Sequence, residues 1–220
     1  MSDKQRTLRS QSASDNPARM PEGAPKLSDQ YVLPAESGRV RELLAQGWSA
    51  RWRSFGASLP AGEVSADQFD RFFEGVPETL RFRPLTVDDV DCVLDLDGRT
   101  AGDYPGGPAT TPVPLAPESA VTTDSRFGFG AFEDRDGLVA MTFMDVLSGG
   151  AVETDFTVVA PQWRGRGIGT ALKAYSIQKM VDEGVREFRT GGAAENLAIW
   201  ATNKALGYKI DEEWVTMTKR

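Results

Sequence analysis

Thr157-Val158-Val159-Ala160-Pro161-Gln162-Trp163-Arg164-Gly165-Arg166-Gly167-Ile168-Gly169-Thr170 is the stretch on which the fold of this chain turns. Thr157, Val158 and Val159 are β-branched and read as the end of a strand. Pro161 stops it, three glycines follow, and from Thr170 the spacing becomes helical until Gly184. A strand that runs into Arg164-x-x-Gly167-x-Gly169 and then a helix is an arrangement for holding phosphate. Glycines let backbone approach a ligand closely, and N–H groups at a helix start favour anionic oxygens. Arg164 and Arg166 add positive charge. No Gly-Lys-Ser or Gly-Lys-Thr follows, so this is not a Walker loop, and no Gly-x-Gly-x-x-Gly run opens the helix as in a dinucleotide fingerprint.

Reading upstream from the loop, three strands succeed one another: Phe127 to Phe132, Leu138 to Val146 and Ala151 to Val159. Asp136-Gly137 and Ser148-Gly149-Gly150 mark the turns between them. Before these, Leu80 and Phe82 alternate with Arg81 and Arg83 in a short strand closed by Pro84. Thr86-Val87-Asp88-Asp89 then caps a helix with Val90, Val93 and Leu94 inward. Residues 97–120, crowded with glycine and proline, read as a long connection of functional rather than idle character.

Downstream, the helix over 170–183 is expected to turn Lys173, Ser176, Lys179, Asp182 and Glu183 to water. A short strand at Arg186–Thr190, a helix from Asn196 to Leu206 ended by Gly207, and a strand at Lys209–Lys219 complete the order. The class is α/β, with antiparallel strands first and a strand–helix–strand crossover after them.

Residues 1–27 are polar without apolar periodicity and read as a disordered tail. Asp3, Asp15 and Glu22 and the missing amphipathic pattern argue against a transit peptide. Residues 28–79 form an extension of helix, strand and helix: Val40, Leu43 and Leu44 on one stripe, Trp48 to Leu59 extended, and Phe69, Phe72 and Phe73 on one face after a Ser65 cap. The pattern helix-Gly47-Trp48-strand echoes helix-Gly207-Tyr208-strand, so the extension reads as a possible remnant of a second, degraded copy of the main domain at residues 80–220. If so, residues 30–62 should lie as helix plus strand at the edge of the main sheet.

Composition narrows the chemistry. The chain has 220 residues, 40% hydrophobic and 26% charged, as in an ordinary globular protein. A net charge of −7 argues against nucleic acid as a partner. No run approaches the length of a membrane span, and a cytoplasmic setting is expected. The single cysteine, Cys92, rules out intramolecular disulfides and reads as a packing residue. Histidine is absent, which removes Ser-His-Asp and Cys-His catalysis and histidine metal sites, and no metal is expected.

The run Asp155 to Gly169, followed by Thr170-Ala171-Leu172, closely resembles the acetyl-CoA motif of the GCN5-related N-acetyltransferase (GNAT) superfamily. Asn196 through Asn203-Lys204-Ala205-Leu206-Gly207-Tyr208 resembles its second motif, and Leu80-Arg81-Phe82-Arg83-Pro84-Leu85-Thr86 its first strand and helix cap. The resemblance covers residues 80–220 and implies a mixed, mostly antiparallel central sheet flanked by helices. It implies acetyl-CoA as co-substrate, held by Val158, Val159, Arg164, Gly165, Arg166, Gly167, Ile168, Gly169 and Thr170, with Asn196 on the pantetheine arm and Asn203 nearby. It also implies a backbone N–H near Val159 that polarises the thioester carbonyl.

Glu153 and Asp155, two apart on the strand before the loop, are the candidate bases, expected to share a face with Thr157 and Val159. Glu153 matches the position of the catalytic glutamate in the family's histone acetyltransferases. Many members carry a tyrosine four residues before the glycine of the second motif; here Asn203 stands there and cannot release a proton, so no general acid is assigned. The expected activity is acetyl transfer to a primary amine by direct attack in a ternary complex. The acceptor is a small molecule in preference to a protein, and a homodimer is possible. The alternatives are a catalytically weak acetyl-CoA-binding sensor or structural homologue, or a transferase using another acyl-CoA.

Overall fold

A computed structural model of the chain describes residues 30–219 apart from Pro108 and Pro112; the tail expected over residues 1–27 lies outside the described residues. Eight strands make one sheet: β1 (Gln30–Pro34), β2 (Trp48–Pro60), β3 (Arg81–Pro84), β4 (Arg126–Glu133), β5 (Gly137–Val146), β6 (Val152–Val159), β7 (Glu187–Ala193) and β8 (Lys209–Lys219). Their order across the sheet is β1-β8-β2-β7-β6-β5-β4-β3. All neighbours are antiparallel except β6 and β7, which run parallel and are joined only at Val152↔Phe188 and Glu153↔Arg189 among the described residues. Beyond that pair the two strands part. Among the described residues, five α-helices accompany the sheet: α1 (Gly38–Ala45), α2 (Ala66–Asp70), α3 (Val90–Thr100), α4 (Ile168–Asp182) and α5 (Leu197–Ala205). Among the described residues no helix is long and apolar enough to cross a membrane.

The strands of the central hairpins form where the sequence turns sharply. Gly137 starts β5 and Gly149 and Gly150 separate β5 from β6, all three at positive φ, which a side chain disfavours. One face of this half-sheet carries α4: the Tyr175 ring lies 5.9 Å from Phe82 and 6.0 Å from Phe129. On the other face Leu85, just ahead of α3, fits over Gly128 and Gly130, where a methyl group would collide with it. The main core, with Phe143, Phe188, Leu172 and Ile177 fully buried, fills the space against these helices. A smaller cluster of Val40, Leu43, Val215 and Met217 lies under α1.

The N-terminal strands are built into the sheet. β1 forms its edge against β8, and β2 lies between β7 and β8, paired with both over most of its length. The units β1-α1-β2 and β7-α5-β8 match in form: each helix is followed by a glycine at positive φ, Gly47 at 84° and Gly207 at 94°, and each unit admits a strand of the other between its own two.

Four local features differ from the sequence reading. α3 continues to Thr100, since the first residues of the supposed loop still fit its stripe, with Leu96, Asp97 and Thr100 buried. α2 covers only 66–70, and the chain turns over the next residues. β7 runs on to Ala193 because β2 supplies a partner that short-range patterning does not show. Lys173 and Ser176, expected at the surface, are buried, because Lys173, Ile177 and Met180 form one inward stripe of α4.

A β-bulge corrects the expected faces on β6. Phe143 pairs with Phe156 and Met144 with Thr154, leaving Asp155 as an extra residue. The alternation therefore slips by one. Glu153 is on the face of Asp145, Phe143 and Phe156, whereas Thr157 joins Thr142 on the other face through a 2.8 Å hydroxyl contact.

Candidate functional site

The glycine loop lies at the end of β6 and delivers the chain into α4. Gly165 and Gly167 take positive φ of 73° and 74°, with open space around each, and Gly167 is the N-cap of the helix without a side-chain cap. The first N–H groups of α4 have no acceptor within the helix. They face the loop together with its exposed glycines, an anion cradle at the positive end of a 15-residue helix. Gly169 brings the helix against the strand; a methyl group there would sit 3.3 Å from the Val159 side chain. Arg164 spends its guanidinium on the Val159 carbonyl at 2.9 Å and on Asp103, while Arg166 lies over the Trp163 ring at 4.9 Å. Trp163 is fixed in turn by its indole N–H donating to Asp136 at 2.8 Å. The two arginines thus shape the loop, and its backbone supplies the free donors.

The parting of β6 from β7 begins after Glu153 and Arg189 and extends to the loop at the end of β6. Ala160 N–H donates to Val139 on β5, so by alternation Val158 faces β5 and Val159 turns its backbone groups to the parting. The Arg164 contact to the Val159 carbonyl agrees with this. The Val159 N–H is therefore a donor aimed into the cleft.

At the closed end of the cleft stand the carboxylates. Glu153 is 7% exposed, at the last joined position of β6. Burial raises its pKa to about 7; Arg189 opposes the rise, while Asp155, Glu212 and Asp145 add to it. Asp155 is bonded to Arg126 at 2.8 Å, and Arg126 also holds Asp145 at 2.6 Å. Burial disfavours the Arg126 charge, but Asp155 and Asp145 more than offset that and keep it a cation. Arg189 is similarly engaged by Glu212 at 2.8 Å and Asp211 at 3.2 Å. With Glu187, 3.6 Å from Arg189, six carboxyl groups surround two guanidinium groups here, so the locality favours a positively charged visitor. Of the two candidate bases, Asp155 is tied into an ion pair and Glu153 titrates near neutrality.

On the α4 side of the sheet, Asn196 caps α5, its side-chain oxygen accepting from Ile199 N–H at 3.2 Å. Asn203, 3% exposed, accepts from Lys173 Nζ at 2.7 Å. Lys173, Thr190 and Tyr208 form a buried polar group around it that sequence reasoning missed. The spacing 173, 177, 180 within an otherwise apolar face was the signal for Lys173. The loop over 101–120 is anchored by Asp97, which accepts from Leu115 N–H at 2.6 Å. Its Gly107 lies against Trp52 of β2 and its Gly106 against Ala193 at the end of β7. The connection therefore crosses to the open end of the cleft.

A mostly antiparallel sheet with one parallel pair that parts beyond Glu153 and Arg189, and a glycine-loop helix at the end of β6, is the fold that the resemblance to the GNAT superfamily implies. Residues 102–208 match the acetyltransferase (GNAT) family, so the chain carries a domain of that family. The structure is similar to a GCN5-related N-acetyltransferase from Sphaerobacter thermophilus, with a TM-score of 0.64, 19% identity, and coverage of 89% of this chain and 61% of that one. It is also similar to one from Kribbella flavida, with a TM-score of 0.62, 15% identity, and coverage of 86% and 67%. A third is a tandem GNAT protein of the clavulanic acid biosynthesis pathway, with a TM-score of 0.58, 18% identity, and coverage of 86% and 62%. At these identities the likeness is one of fold, and the chain spans 61% to 67% of the length of these three structures. None of the curated proteins compared with it matches.

Proposed function

We propose that this protein transfers the acetyl group of acetyl-CoA to a primary amine of a small molecule by direct attack in a ternary complex. The observation that carries this reading is Glu153: buried at the point where β6 and β7 separate, with a pKa of about 7. A carboxyl group poised there is part carboxylate at neutral pH and able to take a proton from an incoming ammonium or from the attacking amine. Asp145, Asp155 and Glu212 favour a cationic acceptor at the same place. The free N–H groups at residues 165–170 suit the pyrophosphate, and the Val159 N–H suits the thioester carbonyl. The loop lying on Trp52 and Ala193 narrows the open end, which favours a small acceptor over a protein segment.

The test is release of coenzyme A thiol from acetyl-CoA across a panel of primary amines, repeated with longer acyl donors. Glu153→Gln should lower kcat at pH 7 by roughly 100-fold or more and leave acetyl-CoA affinity intact. Acetyl-CoA binding without turnover of any amine would instead identify a sensor. A pH–rate profile unchanged in Glu153→Gln would remove Glu153 from the chemistry.

A further inference from the structure

Across four neighbouring strands one row of side chains reads Arg126, Asp145, Glu153, Arg189, each residue paired in register with the next. Such a row offers two lateral ion pairs, one at each end. The first is made: Arg126 holds Asp145 at 2.6 Å. The second is not. Among the described residues the Glu153 carboxyl group makes neither a hydrogen bond nor an ion pair, although it is buried and an arginine stands beside it in the sheet. A buried carboxyl group without a partner is costly, so whatever keeps the arginine away is built into the fold.

The cause lies on β2 and β8. Gly56 pairs with Glu212 and Ala57 with Ile210, so Asp211 is an extra residue in a β-bulge. The bulge lets two consecutive carboxylates reach one guanidinium: Arg189 donates to Glu212 Oε1 at 2.8 Å and to Asp211 Oδ2 at 3.2 Å. Glu187 adds a third carboxylate at 3.6 Å. To reach β7 from β8 the Glu212 side chain must cross β2. It crosses at Gly56, where a methyl group would lie 2.9 Å from Glu212 Oε2. That oxygen is fixed in turn by the Trp214 indole N–H at 3.1 Å. At the other end of the row Asp155, the extra residue of the β6 bulge, takes up Arg126 at 2.8 Å. Both guanidinium groups of the row are thus committed to other carboxylates, and Glu153 is left over.

We propose that Glu212 is a positioning residue for the transfer: it holds Arg189 across Gly56, off Glu153, and so keeps the Glu153 carboxyl group free to receive the amine. This role rests on the acetyl-transfer reading. An arginine in direct contact favours the charged form of a carboxyl group and lowers its pKa by about 1–3 units. It would also occupy the carboxylate oxygens with its own N–H groups, leaving a weaker acceptor for the proton of an ammonium. With Arg189 held off, burial outweighs what remains of its attraction, and Glu153 stands at about 7. The other groups facing Glu153 are Asp145 on β5, Asp155 on its own strand and Glu212, all of which raise it, and Tyr208, whose ionisation burial suppresses. Arg126 is bonded to Asp145 and Asp155. Asp97 of α3, the helix packed on β5 and β6, accepts from Leu115 N–H.

The experiment is an NMR titration of the side-chain carboxyl carbons in the full chain, isotope-labelled at glutamate, with the Glu153 signal assigned by its loss in Glu153→Gln. Glu212→Gln should free Arg189 to turn to Glu153 and lower the Glu153 midpoint by about 1–2 pH units. Arg189→Gln should move the midpoint up. In the Arg189→Gln protein, adding Glu212→Gln should shift it by less than about 0.5 unit, because the guanidinium through which Glu212 acts is gone. In the transfer assay the rising limb of the kcat/KM profile should follow the same midpoints. A Glu153 midpoint unmoved in Glu212→Gln overturns the proposal. So does an equal drop with and without Arg189, which would make Glu212 a plain charge and not a restraint. Should Arg189→Gln not fold, Glu212→Asp decides the same point: it keeps the charge but is one methylene too short to cross Gly56. It should lower the midpoint as glutamine does, and a wild-type midpoint there overturns the proposal. Failure to acetylate any amine while the midpoints shift as described is a different result; it defeats the acetyl-transfer reading and leaves the restraint on Arg189 standing.

Discussion

Replacing Glu153 by glutamine should make the protein more stable and less active, and the stability gain should depend on pH. In the unfolded chain this carboxyl group titrates near 4.5, and in the folded protein at about 7. Holding a charge there at pH 8 therefore costs about 3 kcal/mol, at about 1.4 kcal/mol per pH unit. The sign follows from proton binding. Between 4.5 and 7 the native state holds more protons than the unfolded chain, so stability falls as pH rises through this window. Below it the group is neutral in both states and the cost is absent. Urea unfolding, followed by the fluorescence of the five tryptophans, should place Glu153→Gln up to about 3 kcal/mol above wild type at pH 8 and within about 0.5 kcal/mol at pH 4.5. The same substitution should abolish the rising limb of the rate profile centred near pH 7. Equal stabilities at both pH values would mean that Glu153 ionises as an ordinary surface carboxylate, and the case for a tuned base would fall.

Other substitutions probe the remaining parts. Gly167→Ala places a side chain at φ 74°; it should cost about 1–2 kcal/mol in thermal unfolding and weaken coenzyme A binding measured by calorimetry. Gly107→Ala would set a methyl group 2.4 Å from the Trp52 ring; displacement of the loop should raise KM for the amine and leave acetyl-CoA affinity unchanged. Asp89, bonded twice to Arg83 at 2.7 Å and to the Thr86 cap, has its pKa lowered to about 2. It stabilises the fold above its unfolded value of 3.8, a contribution lost as pH falls toward 2. With Arg83 partly in solvent, Asp89→Asn should cost about 1 kcal/mol at pH 7 in urea unfolding, and the difference should disappear in acid.

What could be read from the sequence was local. The strand-to-helix turn at Arg164–Thr170 and the hairpins at Gly137 and Gly149 each demand glycine at particular backbone angles, and those demands are visible in a few residues. The capping box of Thr86 and Asp89 formed as its spacing foretold. Pairings between distant segments were hidden. Nothing within Trp48–Leu59 shows that β2 lies between β7 and β8, because its partners come from residues 187 onward. The bulge at Asp155 was equally silent; an extra residue in one strand is defined by its neighbour, Phe143-Met144, and it changed which face Thr157 and Val159 occupy. The polarity of Lys173 suggests solvent, whereas its helical spacing to Ile177 and Met180 turns it inward. At the candidate site, the sequence singles out the loop and Glu153 as candidates, while Arg126, Asp145, Arg189 and Glu212 join only through the sheet.

The interleaving of β2 and β8 sets a condition on how the chain is made. β1 pairs with β8 alone, and β2 with β7 and β8. During synthesis β1 and β2 leave the ribosome before their partners, which follow only after more than a hundred further residues. Until then both present unsatisfied edges of the kind that recruit other chains. Closing the sheet is thus a late, long-range event, slow in the manner of non-local pairings. Loss of the final strand would free two others at once, so removal of residues 209–219 should yield aggregates rather than a trimmed domain.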